Sequence, residues 1–134
     1  MIVVLDASAA LKVVGGDEES GRLAQALRSA DSVCVPGVYA AETANALWKY
    51  VEFGELSLEA GEQAVRDCLE LTDRLIPDDG LAVEAFGLAC STRLTVYDAL
   101  YLILARRLGA YLATFDEDLT AAAKRHSIKI LSLT

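Results

Sequence analysis

The chain has 134 residues, 54% of them apolar, with 12 basic side chains against 20 acidic ones and a net charge of −8. That length suits one domain and allows roughly two thirds of the unfolded surface to be buried without disulfides or metals. The apolar content excludes disorder, and the negative charge excludes nucleic-acid binding through bulk positive potential.

Ile2–Leu5 is a continuous apolar run of the kind found in a strand buried on both faces. Ala7–Val14 reads as a helix closed by Gly15 and Gly16, and residues 18–29 as a second helix. Residues 32–35 form a second strand, stopped by Pro36-Gly37. Residues 38–53 predict a helix with Ala41, Ala44, Leu47, Trp48 and Val51 on one stripe and Gly54 as its stop. Ser57 opens a further helix running to about Asp73, and Arg74–Ile76 is a brief strand ended by Pro77. Residues 78–91 are helical, and Val96–Leu108 is a strongly apolar helix ended by Gly109. Residues 111–114 and 128–133 add two strands, separated by a helix over 116–126. Strands alternating with helices of this length predict an α/β fold. The expected architecture is a three-layer α/β/α sandwich with a short, mostly parallel sheet of about five strands, forming a single domain over 1–134.

The amino terminus carries no cationic segment and reaches Asp6 too soon for a secretory signal or a membrane span, so a cytoplasmic protein with no membrane association is expected. Cys34, Cys68 and Cys90 are widely spaced among apolar neighbours and read as buried free thiols. His126 falls in Lys-Arg-His at a helix end, where a cation complements the dipole, and is a poor candidate for a general base.

Four acids fall at equivalent places on this map. Asp6 directly follows the first strand, and Glu42 lies in the first turns of the helix after the second. Asp98 lies in the first turn of the apolar helix, and Asp116 follows the fourth strand. In a parallel sheet, strand ends and the helix starts that follow share one edge, where ligands bind. Each acid alone could be a helix cap or a first-turn charge. Capping does not require a carboxylate at every such position, however, and clustered anions repel unless a proton or cation intervenes. An all-oxygen donor set without histidine or thiol suits hard cations such as Mg²⁺ or Mn²⁺. Metal-assisted phosphoryl transfer is the chemistry this favours.

The motifs resemble those of PIN-domain ribonucleases, and specifically the VapC toxins of type II toxin–antitoxin pairs. They run in order along essentially the whole chain: Asp6-Ala-Ser8, Glu42-Thr-Ala-Asn45-Ala-Leu, Thr95-Val-Tyr97-Asp98-Ala-Leu-Tyr101-Leu with Ala105, and Thr114-Phe-Asp116-Glu-Asp118-Leu119. The Tyr-Asp-Ala-Leu-Tyr-Leu stretch is the most specific of them. The resemblance implies that Asp6, Glu42, Asp98 and Asp116 are catalytic and hold Mg²⁺, with Mn²⁺ as an alternative. It implies supporting roles for Ser8 and Thr114. Asp118 is the rival fourth acid, with Asp116 favoured because it adjoins the strand. The implied reaction is endonucleolytic cleavage of RNA by a metal-activated water. The implied partners are RNA, a cognate VapB-like antitoxin whose carboxy-terminal segment blocks the acidic groove, and a second copy of the chain in a homodimer.

RNA is polyanionic, so phosphate contacts are sought among Lys12, Lys49, Arg93, Arg106 and Arg107. Trp48, Tyr97 and Tyr101 fall among apolar helical positions, which points to core packing or a subunit interface rather than base stacking. Two other readings compete: a catalytically inactive PIN-like binding or scaffold protein, and a Mg-dependent phosphatase of another α/β fold. The phosphatase would want an Asp-x-Asp motif where this chain has Ser8, and a receiver-like domain would want paired acids after the first strand.

Overall fold

Strand β1 (Ile2–Leu5) buries Val3, Val4 and Leu5 completely in the computed structural model, which describes residues 1–133. Successive strand residues point to opposite faces, so their joint burial means that the sheet is covered on both sides. Strands β2 (Ser32–Pro36), β3 (Arg74–Ile76) and β4 (Tyr111–Ala113) complete an all-parallel sheet in the order β3-β2-β1-β4. Val3 is opposite Val33 on one side and Tyr111 on the other, and Cys34 is opposite Arg74. Because β2 and β3 extend the sheet one way and β4 the other, its topological switch falls between β1 and β4. A crevice forms outside the carboxyl ends of the strands at such a switch.

The sheet has four strands rather than five. Residues 128–133 contribute one isolated parallel bridge, Ile130 to Leu112. Leu112 N–H donates to Lys129 O, and Leu131 N–H donates to Leu112 O, both at 2.9 Å. With β4 only three residues long, Leu112 exhausts what it can offer on that side.

Among the described residues seven helices surround the sheet: α1 (Ala7–Val14), α2 (Gly21–Ser29), α3 (Val38–Glu52), α4 (Leu58–Glu70), α5 (Ala82–Thr92), α6 (Val96–Leu108) and α7 (Glu117–Arg125). Two expected helices begin as separate 3-10 turns, at Glu18–Ser20 and Asp78–Gly80. Helix α6 is buried on every side from residue 99 to residue 105, packing on α5 and across β1, β2 and β4. Its apolar composition is that of a central core helix, and among the described residues no single helix is long and apolar enough to cross a membrane. Gly109 ends α6 at φ +60°, in the left-handed region that favours glycine.

Helix α3 turns Tyr39, Thr43 and Leu47 inward, an i, i+4, i+8 stripe. Trp48, expected on the buried stripe, is instead 57% exposed, because it lies about 100° round the helix from Leu47. Ala41 is exposed as well. Where α4 crosses α3, Gly61 provides the clearance: a Cβ there would lie 2.7 Å from Val51 Cγ2. Cys34 and Cys68 are buried free thiols as expected, but Cys90 is exposed, since it follows Ala89 round the outward side of α5.

Candidate functional site

The residues leaving β1 and β4 meet across the switch point. Asp6 N–H donates to Ala113 O at 3.1 Å, extending the β1–β4 pairing by one step. Asp6 is also the N-cap of α1: its Oδ1 accepts from Ala9 N–H at 2.9 Å and from Ser8 Oγ at 2.8 Å. Its Oδ2 accepts from the Thr114 hydroxyl just beyond β4. Ser8 and Thr114, expected as supporting residues, thus both donate to the same carboxylate. Both also accept backbone N–H groups from the loop after β4, Ser8 from Phe115 at 3.3 Å and Thr114 from Asp116 at 2.9 Å. Despite three donors, burial pushes the Asp6 carboxyl up to about 6, with the Asp116 charge adding to the rise.

The other predicted acids are set around this pair of strand ends. Asp116 caps α7, using Oδ1 to accept from Leu119 N–H at 2.9 Å. Asp98 sits in the first turn of α6, where the cap is made by the Thr95 hydroxyl accepting from the Asp98 backbone N–H at 3.2 Å. The cap itself is thus made by Thr95 and the Asp98 backbone, and does not depend on the Asp98 carboxylate. Burial raises the Asp98 carboxyl, and the charges of Asp116 and Asp118 raise it further, against the lowering effect of a hydrogen bond with Thr95. Glu42, on the second turn of α3, is raised by burial and by the charges of Asp98 and Asp78, against the lowering effect of a hydrogen bond from Tyr101. Asp6, Glu42, Asp98 and Asp116 are therefore linked by mutual repulsion, Asp116 to Asp6 and to Asp98, and Asp98 to Glu42. Asp118 is exposed on the first turn of α7, and its charge also reaches Asp98.

Two participants escaped the sequence reading. Tyr101, expected only to pack, is buried in α6 and donates its hydroxyl to Glu42 Oε1 at 2.7 Å. Asp78 begins the 3-10 turn after β3, beside Gly37 at the end of β2, and its Oδ1 is buried without a hydrogen-bond partner among the described residues. It is a fifth acid at the edge that holds the other four. The strand-end rule that located Asp6 and Asp116 applies equally to Asp78.

The basic residues sort by their partners. Arg106 and Arg107 both bind Glu84, away from the acids. Lys12 pairs with Glu19 at 3.2 Å and lies 4.5 Å over the Phe115 ring. Lys49 and Arg93 form no ion pair among the described residues.

Among the described residues, no group of three or more His, Cys, Asp or Glu side chains is arranged to hold a metal ion. Mg²⁺, however, is commonly held by one or two carboxylates with water completing its shell. The donors present are all oxygen, three of the carboxyls are raised by burial and by neighbouring acids, and a buried Asp78 oxygen has no donor among the described residues. This donor set fits a hard divalent cation and fits no soft one.

Comparison with known proteins gives a consistent result. A family model described as the PIN domain matches residues 3–125. The chain is 32% identical over 121 residues to Ribonuclease VapC3 of Pyrobaculum aerophilum, covering 89% of this chain and 92% of that one. Its fold is similar to that of PAE2754 from the same organism, with a TM-score of 0.74, 24% identity and coverage of 91% and 79%. It is also similar to Mycobacterium tuberculosis VapC20, described as a sarcin-ricin loop cleaving toxin, with a TM-score of 0.66, 20% identity and coverage of 90% and 94%. VapBC2 from Rickettsia felis, solved bound to a promoter DNA fragment, gives a TM-score of 0.70 at 16% identity and 98% coverage of both chains.

Proposed function

The chain belongs to the PIN-domain family, and from that premise we propose that it is a metal-dependent endoribonuclease, the toxin of a VapBC-type toxin–antitoxin pair. The observation that carries the reading is the Asp6 carboxylate, buried at the β1–β4 switch point, held by three donors and still raised to about 6. A structural cap has no need of such a group, whereas a cation site does.

Asp6, Glu42, Asp98 and Asp116 would hold Mg²⁺ or Mn²⁺, with Asp118 and Asp78 adding negative charge nearby. The cation, when bound, supplies positive charge for the phosphoryl group and acidifies a water. The chain's own residues do the positioning. Ser8, Thr114 and the Ala9 N–H fix both oxygens of Asp6. Tyr101 holds Glu42 Oε1, leaving Oε2 to accept a ligand or a proton. Asp116 keeps Oδ2 free while Oδ1 caps α7.

An antitoxin of the VapB type is the proposed protein partner, and the VapBC2 assembly supports it by analogy. A largely apolar cleft of about 990 Å³ between α1, α3 and α4, lined by Leu11, Val14, Leu47, Leu56 and Ala64, offers such a segment a seat. A homodimer, a cytoplasmic setting and a single PIN domain spanning 1–134 complete the proposal.

The test is cleavage of RNA by the purified chain. Activity should require Mg²⁺ or Mn²⁺, stop in chelator and be largely lost in Asp6→Asn and Asp98→Asn. Undiminished cleavage by either variant, in folded protein, overturns the catalytic assignment.

A further inference from the structure

A cleft of about 580 Å³ opens beside the acids, between α1 and α3, and its lining includes Ser8, Glu42, Asn45, Lys49, Tyr50 and Phe53. Positions 42, 45 and 49 of α3 and Phe53, its C-cap residue, recur every three or four residues, so they form one stripe along a single helix face. Chemistry changes in order along that stripe: a carboxylate of the candidate site, a carboxamide, a cation, then an aromatic ring at the helix end. At the helical rise, Lys49 lies about 10 Å and Phe53 about 16 Å from Glu42 along the axis.

Among the described residues nothing covers the far end. Phe53 is 77% exposed, and Tyr50, which lines the same cleft, is also open to solvent. Lys49 stands without an ion pair among the described residues, whereas Lys12, Arg106 and Arg107 are all committed to carboxylates. An exposed ring next to an uncommitted cation, in a groove that begins at a phosphodiester-cleaving site, has the chemistry of a single-strand track. In such tracks cations follow the phosphates, and rings stack on bases without regard to sequence.

We propose that the α1–α3 cleft is the track for single-stranded RNA flanking the scissile bond, with Lys49 on a backbone phosphate and Phe53 stacked on a base. The proposal rests on the ribonuclease reading of the adjoining acids and extends it to where the substrate lies. An apolar protein segment would also suit Phe53 and Tyr50. RNA is favoured because the stripe starts at Glu42 itself and carries the free cation partway along. Glu55 also lines the cleft, so the phosphate contact is assigned to Lys49 and not spread along the groove.

The experiment uses the full chain and a fluorescein-labelled single-stranded RNA of randomised sequence. Binding is read by anisotropy in chelator across a salt series, and KM and kcat by cleavage at saturating Mg²⁺. Phe53→Ala should weaken binding roughly 5- to 150-fold at every salt concentration, leave the salt slope unchanged and raise KM more than it lowers kcat. Phe53→Trp should restore binding. Lys49→Ala should weaken binding most at low salt and flatten the log–log slope by about 0.7. Phe86→Ala, an exposed ring on α5 outside the cleft, should change nothing.

Native binding and KM in both Phe53→Ala and Lys49→Ala overturn the track, as does an equal loss in Phe86→Ala. A native chain that binds no RNA in either format overturns it too. Failure of the native chain to cleave overturns the ribonuclease reading instead, while the anisotropy arms still decide the track.

Discussion

Replacing Asp6 by asparagine should stabilise the metal-free protein near neutral pH and leave it almost unchanged in acid. Asp6 is 5% exposed, and its carboxyl stands at about 6 against an ordinary 3.8, chiefly through burial. A carboxyl with a folded pKa above its unfolded one binds its proton more tightly in the folded state. Its stabilising contribution is full below the unfolded value and is lost as pH rises through the folded one. At 1.36 kcal/mol per pKa unit, the gap between those two values is worth ~3 kcal/mol. Asparagine carries no charge, and its Oδ1 can still accept from Ser8 and Ala9. Its amide can donate to Thr114 Oγ1, whose proton can turn towards Ser8 Oγ, 3.5 Å away. The variant should therefore match the native protein at about pH 3 and exceed it by up to ~3 kcal/mol at about pH 8. For a chain of this length that is ~10 °C in Tm. Urea and thermal unfolding of both proteins in chelator across that range measure it. The difference curve reports Asp6 together with its repulsion from Asp116, because all other titrating groups are common to both. A flat difference, or a variant less stable than the native chain at about pH 8, would refute burial of an ionised carboxylate as the cost this site imposes.

Tyr101→Phe removes the one hydrogen bond that the Glu42 carboxylate accepts among the described residues, and should weaken Mn²⁺ binding on the order of tenfold, read by calorimetry or electron paramagnetic resonance. Unchanged affinity would reduce Tyr101 to packing. Asp98→Asn should leave the metal-free chain equally or more stable in thermal melts, because Thr95 makes the cap through the Asp98 backbone N–H, and burial and repulsion outweigh the one Thr95 hydrogen bond that favours the carboxylate. Clear destabilisation in chelator would restore a structural role to that carboxylate. Gly61→Ala should cost about 1–3 kcal/mol in urea unfolding, since its Cβ would press on Val51 Cγ2 where α3 and α4 cross. A neutral result would mean that the two helices can separate freely.

The parts of this fold that depend on local pattern are legible in the sequence. Burial of β1 on both faces follows from Ile2–Leu5, the end of α6 from Gly109, and the shared edge of the acids from parallel strands. The parts that depend on distant partners are not. Tyr101 looks like a core residue because its ring is one, while its function sits in one oxygen that meets Glu42 59 positions away. The fifth strand fails because β4 is too short to pair with it, which the apolar run at 128–133 does not reveal. Asp78 was obscured by continuing its helix back to residue 78, although it occupies a strand end like Asp6. Trp48 and Cys90 show the remaining error: composition says apolar, but one step round a helix decides whether a side chain meets core or water.

The acid surplus also sets the sign of a measurable effect. A basic nucleic-acid binder gains affinity by releasing counterions, so added salt or divalent cation competes with its ligand and weakens binding. Here the net charge is −8, and the site itself gathers carboxylates that repel one another before any phosphate arrives. A polyanion approaches that edge more readily once its charge is offset, and among the described residues Lys49, in the adjoining cleft, is a cation without an ion pair. Raising Mg²⁺ at constant ionic strength should therefore lower KM for RNA as well as raise kcat. Monovalent salt at fixed Mg²⁺ should change KM only weakly, with a slope near that of one or two phosphate contacts. If KM instead climbs with Mg²⁺, the RNA is held by basic groups away from the acids, and the carboxylate cluster is not where the phosphate goes.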